Sequence, residues 1–563
     1  MIEASVIIPT YNQAKRLHAC LDSLSRQTQP ASSFEVVVAV DGSTDDTLQM
    51  LSAYQAPFRL RVIPQQHQGQ CAALNHGAEA AEGRICIFLD DDIAAAPQLV
   101  EEHVRLHSQQ EAVIGIGKIS LSLPPGSDGF VRSFAREWEN HNAALEKESR
   151  PPTWQDCFGG NMSVARSAFL AVGGNAIDLA RAYDLELAYR LTEHGDSIVY
   201  LAAALGVQDQ RKGFRELISD AEKSGAACVE LSRRHPPMLS SLLGSFSEQR
   251  PLTAALLRAL LALNLSPSAL GKIHRFIGKW FDSDFYYQLL HRYGFWRGVK
   301  HASPDADFWK SLIQGVPILM YHAFGAPGER PGRYIIPINQ FKRQMAWLKW
   351  RGYHVLGLQE YVKRRVANRL PPPHSVILTI DDGYAETYNL VLPILRRYGF
   401  PATVFLVTQN LGSAMGWDHS TELSGRSLLS WQNIREMNQG GIDFGAHSRT
   451  HPDLTLLSPE QAFKEIAGSK EDLEECLENP APAFCYPYGK YSRSTQSLVE
   501  KSGFLSGCSI DIGKNTLATS LQALRRVEIR GTDSLLQFAL SVHYGLDRQN
   551  LARFLLRRQG SKS

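Results

Sequence analysis

The sequence predicts a multidomain α/β protein, in which two separate series of strands and helices are joined by a helical connector. Three observations carry that prediction. At 563 residues the chain exceeds what one hydrophobic core organises, since domains typically run to roughly 100–200 residues. Apolar runs of strand length alternate with helical periodicity over residues 1–110 and again from residue 316 onward. Between the two series the pattern changes to leucine- and alanine-rich helix. The expected boundaries are 1–214, a connector at 215–314, a second domain at 315–545 and a basic tail at 546–563.

In the first series, SVIIP (5–9), FEVVVAV (34–40), LRVIPQ (60–65) and RICIFLD (84–90) read as buried strands, and Ala14, Leu17, Leu21 and Leu24 recur at helical spacing. Continuous apolar strands alternating with helices argue for a mostly parallel sheet covered on both faces, with ligands at the carboxyl ends of its strands. In the connector, PLTAALLRALLALNLSPSAL (251–270) is barely long enough to span a bilayer and carries Arg258, Asn264 and two prolines. It reads as a soluble or membrane-surface helix. The aromatic, basic stretch FYYQLLHRYGFWRGVK that follows could meet lipid headgroups or glycan, or pack between the two domains. The second series runs through VPILMYH (316–322), SVILTI (375–380), ATVFLV (402–407), IDFGAH (442–447) and AFCYPY (483–488), again with helices between and no repeat relating it to the first.

Lys and Arg (59) nearly balance Asp and Glu (57), so no global charge favours nucleic acid as a partner. Apolar and charged fractions of 44% and 21% are those of a globular protein that folds in water. MIEASVIIPT lacks the basic and apolar regions of a signal peptide, and the eight cysteines form no CxxC pair. The expectation is a cytoplasmic protein with reduced thiols, working at the inner face of a membrane by peripheral association.

Three polar clusters end strands of the first series: TYNQ, VDGSTDDT and FLDDD. Converging carboxylates at one sheet edge suit a nucleotide diphosphate, with acceptors for base or ribose and a hard-oxygen site in Asp90 and Asp92 for Mg²⁺ or Mn²⁺. With HQGQCAALNHGAEAAEGRICIFLDDD, FGGNMSV and GGN…YDLELAYRL, these elements resemble the family 2 glycosyltransferases of GT-A (Rossmann-like) fold over roughly residues 3–210. The resemblance implies that Pro9, Tyr11 and Asp41 contact the nucleoside, that Gly69 and Asn75 line the nucleotide cleft, and that Asp90 and Asp92 serve ribose and metal. It makes Asp184 the general base of an inverting transfer, with Glu186 as an alternative. Tyr183 stands where the family usually has Glu. QDQRKGF (208–214) only partly resembles the Gln-x-x-Arg-Trp of processive polymerases, which favours transfer of a single sugar.

In the second series TIDDG (379–383) puts two carboxylates at a strand end, and HSRTH presents His447 and His451 at a spacing that reaches one ion if the segment is helical. Together with LLSWQNIREM and FCYPYGKY, these motifs resemble the polysaccharide deacetylases of carbohydrate esterase family 4, the NodB-homology family, which adopt a deformed (β/α) barrel. The resemblance implies a divalent metal, most simply Zn²⁺, on Asp382, His447 and His451, with Asp381 as general base and Tyr488 contacting the oxyanion. Two departures stand out: Cys485 replaces the Arg that orients the base, and RRVEIRGTDSL (525–535) lacks the Leu-x-His that supplies a general acid. His322, in LMYHAF, is the candidate for that proton.

The two halves together point to a nucleotide-sugar donor, a glycan or lipid-linked acceptor, and removal of N-acetyl groups from amino sugars. The rival expectation is an active transferase whose C-terminal half is an impaired, glycan-binding deacetylase.

Overall fold

A computed structural model describes residues 2–244, 246, 251–278, 280–417, 422–547 and 549–550. The basic tail at 546–563 lies almost wholly outside them. The chain forms two compact units, one of residues 1–231 and 255–302, the other of residues 232–254 and 303–563.

The first unit is built on β1 (Ala4–Thr10), β2 (Phe34–Asp41), β3 (Arg59–Gln65), β4 (Ile85–Leu89), β5 (Ile93–Ala95), β6 (Val113–Ser122), β7 (Asn161–Ala165) and β8 (Ser197–Asp209). They form one sheet in the order β3-β2-β1-β4-β7-β6-β8-β5. The first four pair in parallel, whereas β7 runs antiparallel to β4 and β6. Both faces of β1, β2 and β4 are buried, which is why these strands read as unbroken apolar runs. LRVIPQ, expected as a buried strand, is instead the edge strand β3, and its side chains are half-buried or exposed. Val6 and Ile8 join one core with Val36 and Val38, and Ile7 joins another with Val37 and Leu74.

The connector does not stand apart. Residues 255–302 belong to the first unit, and 232–254 and 303–314 to the second. Within the first unit, helix Asp284–Ala302 buries Tyr287, Tyr293 and Trp296. Helix Phe214–Arg234 crosses it at glycine: a Cβ on Gly298 would stand 1.8 Å from the Glu222 carbonyl. Only the absent side chain permits that approach. The aromatic stretch 285–300 therefore mostly serves packing inside one unit.

The second unit contains β9 (Val316–Tyr321), β10 (Ser375–Ile380), β11 (Thr403–Leu406), β12 (Asp443–Ala446), β13 (Ala483–Cys485), β14 (Ser506–Ile512) and β15 (Leu524–Glu528). Each pairs in parallel with the next in chain order, and β15 returns to β9, closing a barrel. The barrel is deformed: β12 and β13 share a single register pair, Ala446–Phe484, and the β14–β15 register shifts between Cys508 and Ile512. Of the run 483–488 only Ala483–Cys485 is strand, because Pro487 cannot donate to a ladder and Tyr488 turns left-handed (φ 55°).

Candidate active sites

In the first unit Pro9 to Tyr11 leave β1, Asp41 ends β2, and Asp90 to Asp92 follow β4. All reach one cleft of about 620 Å³, shared with Gly69 and Asp184. Asp41 accepts from the backbone N–H of Gln68 (2.8 Å) and Gly69 (2.9 Å) and from the Gln65 amide (2.7 Å). Burial works to raise its carboxyl, but these donors outweigh it and keep Asp41 below the usual range. The Tyr11 ring lies 4.5 Å from that of His67 and is 46% exposed, so the pair presents a face open to a planar base.

The acidic triplet is crowded. Burial, then Asp92, Asp91 and Asp184, push Asp90 up to about 7; burial pushes Asp91 to about 6 although Thr10 donates to it at 2.6 Å. Gly160 packs directly against this group: a Cβ there would come within 2.7 Å of Asp90 Oδ2 and push that carboxylate aside. Asp92 receives the Gln208 amide at 3.1 Å and has Arg16 at 3.8 Å. The oxygen donors fit a hard cation, yet no three carboxylates here come within 4.8 Å of one another. That suits an ion such as Mg²⁺, which takes one or two carboxylates and completes its shell with phosphate oxygens.

Asp184 lies in the first turn of helix Tyr183–His194, with Oδ2 accepting from Gly159 N–H at 3.0 Å and Oδ1 from Leu185 N–H at 2.9 Å. Burial raises its carboxyl, as a proton acceptor requires. Glu186, the alternative, is buried and committed to Arg190 at 2.7 Å. Asn75 does not line the cleft: its side chain accepts from Asn175 N–H at 2.8 Å and donates to Asn175 O at 2.9 Å, bracing the GGN turn. The cleft also has an aromatic wall that the sequence did not single out, Trp138 and Phe158, 4.7 Å apart between ring centres.

In the second unit every proposed group sits at the carboxyl end of a barrel strand, around a cavity of about 340 Å³. His322 follows β9, Asp381 and Asp382 follow β10, His447 follows β12 and Tyr488 follows β13. HSRTH is a loop and not a helix: Ser448 and His451 are left-handed (φ 62° and 64°), and Glu465 accepts the N–H groups of Arg449 and Thr450, each at 2.9 Å. Left-handed Asp382 (φ 71°) and Tyr488 add to this concentration of costly backbone, which persists only where the surroundings enforce it.

His447 Nδ1 donates to the Cys485 carbonyl at 2.7 Å, which leaves the Nε2 lone pair facing the cavity. His451 Nε2 lies 3.2 Å from it, and Asp382 Oδ1 is 3.6 and 3.7 Å from the two nitrogens. Ligand atoms bound tetrahedrally at about 2.1 Å stand roughly 3.4 Å apart, so the triangle fits a divalent ion. Trp417 and Tyr488 hold the His451 ring from two sides, at 5.1 and 4.6 Å.

The guanidinium absent at position 485 comes from another strand. Arg526, on β15 and 1% exposed, donates to Asp381 Oδ1 at 2.7 Å, to Cys485 Sγ at 3.1 Å and to the Ser509 carbonyl at 2.8 Å. Burial works to raise Asp381, but Arg526, with His322 and His447, brings its carboxyl down to about 2. His322 shares the cavity, its ring 4.7 Å from Tyr334, and burial lowers its pKa.

A carboxylate cleft at strand ends has the chemistry a transferase needs, and a His–His–Asp triangle beside an ionised carboxylate has the chemistry a hydrolase needs. Comparison with known proteins makes both classes specific. Residues 5–173 match the family model described as glycosyl transferase family 2, and residues 368–506 match the one described as polysaccharide deacetylase. The chain thus carries a glycosyltransferase family 2 domain and a polysaccharide deacetylase domain. It is 29% identical over 233 residues, 41% of this chain and 78% of the other, to YxkH of Bacillus subtilis (strain 168), named as a polysaccharide deacetylase. It is 28% identical over 269 residues to validoxylamine A glucosyltransferase of Streptomyces hygroscopicus subsp. jinggangensis (strain 5008), covering 42% of this chain and 62% of that protein. It is 30% identical over 189 residues to the poly-beta-1,6-N-acetyl-D-glucosamine N-deacetylase of Staphylococcus epidermidis (strain ATCC 35984 / DSM 28319 / BCRC 17069 / CCUG 31568 / BM 3577 / RP62A), covering 31% and 62%. The chain therefore spans less than two thirds of the latter two proteins.

Proposed function

We propose that the protein is bifunctional, transferring a sugar from a nucleotide-sugar donor to a glycan or lipid-linked acceptor and hydrolysing N-acetyl groups from amino sugars. In the first site Asp184 takes the proton of the acceptor hydroxyl while the donor's anomeric carbon is attacked and the nucleoside diphosphate leaves. Tyr11, His67 and Asp41 hold the nucleoside, and Asp90 and Asp92 serve its ribose and a Mg²⁺ or Mn²⁺ ion.

In the second site a Zn²⁺ ion on Asp382, His447 and His451 would polarise the acetamide carbonyl and acidify a water. Asp381 accepts that water's proton. Arg526 keeps Asp381 ionised and fixes its orientation. Burial keeps His322 neutral at rest, so the proton it delivers to the departing nitrogen is the one Asp381 took from the water; the carbon–nitrogen bond breaks, and acetate and a free amine result. Tyr488 borders the carbonyl oxygen.

The single observation that carries this reading is the buried Asp381–Arg526 pair beside the three-ligand triangle. The rival, a glycan-binding remnant, rested on a missing arginine and a missing Leu-x-His; Arg526 offers a guanidinium to Asp381, and His322 is the residue that has to answer for the second. The relative named for poly-beta-1,6-N-acetyl-D-glucosamine makes a β-linked N-acetylglucosamine oligomer the first substrate to try. The test is acetate release from that oligomer by the purified chain, with zinc measured in wild type and His447→Ala. Release that tracks zinc supports the proposal; equal zinc content in both proteins removes the ligand set.

A further inference from the structure

No single helix among the described residues is long and apolar enough to cross a membrane, but the successive helical segments Thr253–Leu263 and Pro267–Phe276 are apolar enough together and bend by 119° at their break. Each segment, at about 1.5 Å per residue, falls well short of the roughly 30 Å hydrocarbon core. What distinguishes them is which side chains face out. On helix Pro267–Ile277, Leu270, Gly271 and His274 are buried, so Ile273 and Phe276 occupy the opposite side, with exposed Lys272 and Arg275 alongside.

Phe276 is 81% exposed, and Trp280, just beyond the helix, is 84% exposed. Phe281 and Phe285 follow at 57% and 48%, and Leu263 precedes at 65%. Among the described residues neither Phe276 nor Trp280 makes a ring contact, and neither Lys272 nor Arg275 pairs with a carboxylate. The acidic neighbours are engaged: Asp282 accepts from the Tyr287 hydroxyl at 3.0 Å, and Asp284 pairs with Arg136. A soluble helix normally hides its aromatic side; here aromatic and cationic side chains share the outward one.

We propose that this bent helical pair and the aromatic turn after it form a docking surface for an anionic lipid bilayer. Trp280, Phe276 and Phe281 enter the interfacial zone, where aromatic rings partition, and Lys272 and Arg275 meet lipid phosphates. A second copy of the chain or an apolar protein partner would use the aromatic residues but gives no reason for two uncompensated cations beside them. The inference does not depend on which sugar is transferred.

The test is flotation of the full chain with vesicles of equimolar phosphatidylglycerol and phosphatidylcholine, against vesicles of phosphatidylcholine alone. The expected result is binding that favours the anionic vesicles and weakens with salt. Phe276→Ser with Trp280→Ser should reduce bound protein roughly ten-fold or more, and Lys272→Glu with Arg275→Glu should erase the preference for phosphatidylglycerol. Thermal unfolding and sugar transfer matching wild type show that each variant is folded. The proposal is overturned if wild type stays unbound, if both double variants bind as it does, or if light scattering shows a dimer that Phe276→Ser dissolves and vesicles leave intact.

Discussion

The two catalytic regions solve the same electrostatic problem in opposite ways. In the cleft of the first unit burial raises the proton affinity of Asp90, Asp91 and Asp184, and the neighbouring carboxylates of Asp92, Asp91 and Asp184 add to it at Asp90, which stands near 7 with Asp91 near 6. On the function proposed here, its negative charge is left for a cation and a donor to balance. In the barrel Asp381 is brought down to about 2, with a buried guanidinium 2.7 Å away as its counter-charge. A site that must release a charged nucleotide each turnover gains from incomplete compensation. A site whose base must be ionised before substrate arrives gains from a permanent partner.

The comparison breaks first if the two sites are chemically one. Asp184→Asn should lower sugar transfer by about 10²–10⁴-fold and leave acetate release unchanged, while Asp381→Asn should do the reverse; assaying both activities on each purified variant decides it. A folded variant that loses both would remove the independence of the sites.

The contrast in compensation sharpens with Arg526. Arg526→Met leaves a buried carboxylate unpaired and should cost the second unit about 3–5 kcal/mol, read as the denaturant midpoint of the transition that zinc shifts. Adding Asp381→Asn should restore part of it, because the stranded charge is gone. An unaltered midpoint in the single variant would mean that the pair is not what ionises the base.

A smaller effect falls on His322. His322→Ala should slow acetate release by at least roughly 10²-fold with zinc content and folding unchanged. Near-normal release would exclude it as the proton donor, and loss of zinc would make it a support of the metal instead.

The least effect concerns His103, bound to Ser163 and Asn161 at 2.7 and 3.0 Å and lowered by burial to about 4. Its folded value lies below the ordinary 6.5, so the unfolded chain takes up the proton first. The stability it lends is present above about 6.5 and drains away as pH falls towards 4. Between pH 7 and 5.5 wild type should lose about 1 kcal/mol more than His103→Asn. Parallel unfolding midpoints of the two proteins across that range would contradict it.

What could be read from the sequence was local. FLDDD, TIDDG and HSRTH announce themselves because an apolar strand stops at a cluster of ligating side chains, and the structure brings Asp90, Asp92, Asp382, His447 and His451 to strand ends. Asp184, His322 and Arg526 all lie outside the stretches matched by the two family models. Arg526 was read only as part of a motif lacking histidine, because its meeting with Asp381 depends on β15 closing the barrel against β9, a pairing no local pattern encodes. The polar Asn75 was expected at a ligand but braces a turn 100 residues away. The connector misled for a related reason: helical periodicity locates an apolar face without naming the unit that covers it.

The chain passes from the first unit to the second after residue 231, back after 254 and across again after 302. A single break anywhere in that stretch therefore strands part of one unit's polypeptide on the wrong fragment. Splitting the gene at one codon should not yield two intact enzymes, and a protease nick at the connector would damage at least one fold before it freed either. Such a protein is inherited and expressed as one object, so its two domains are supplied at one to one whatever the level of its transcript.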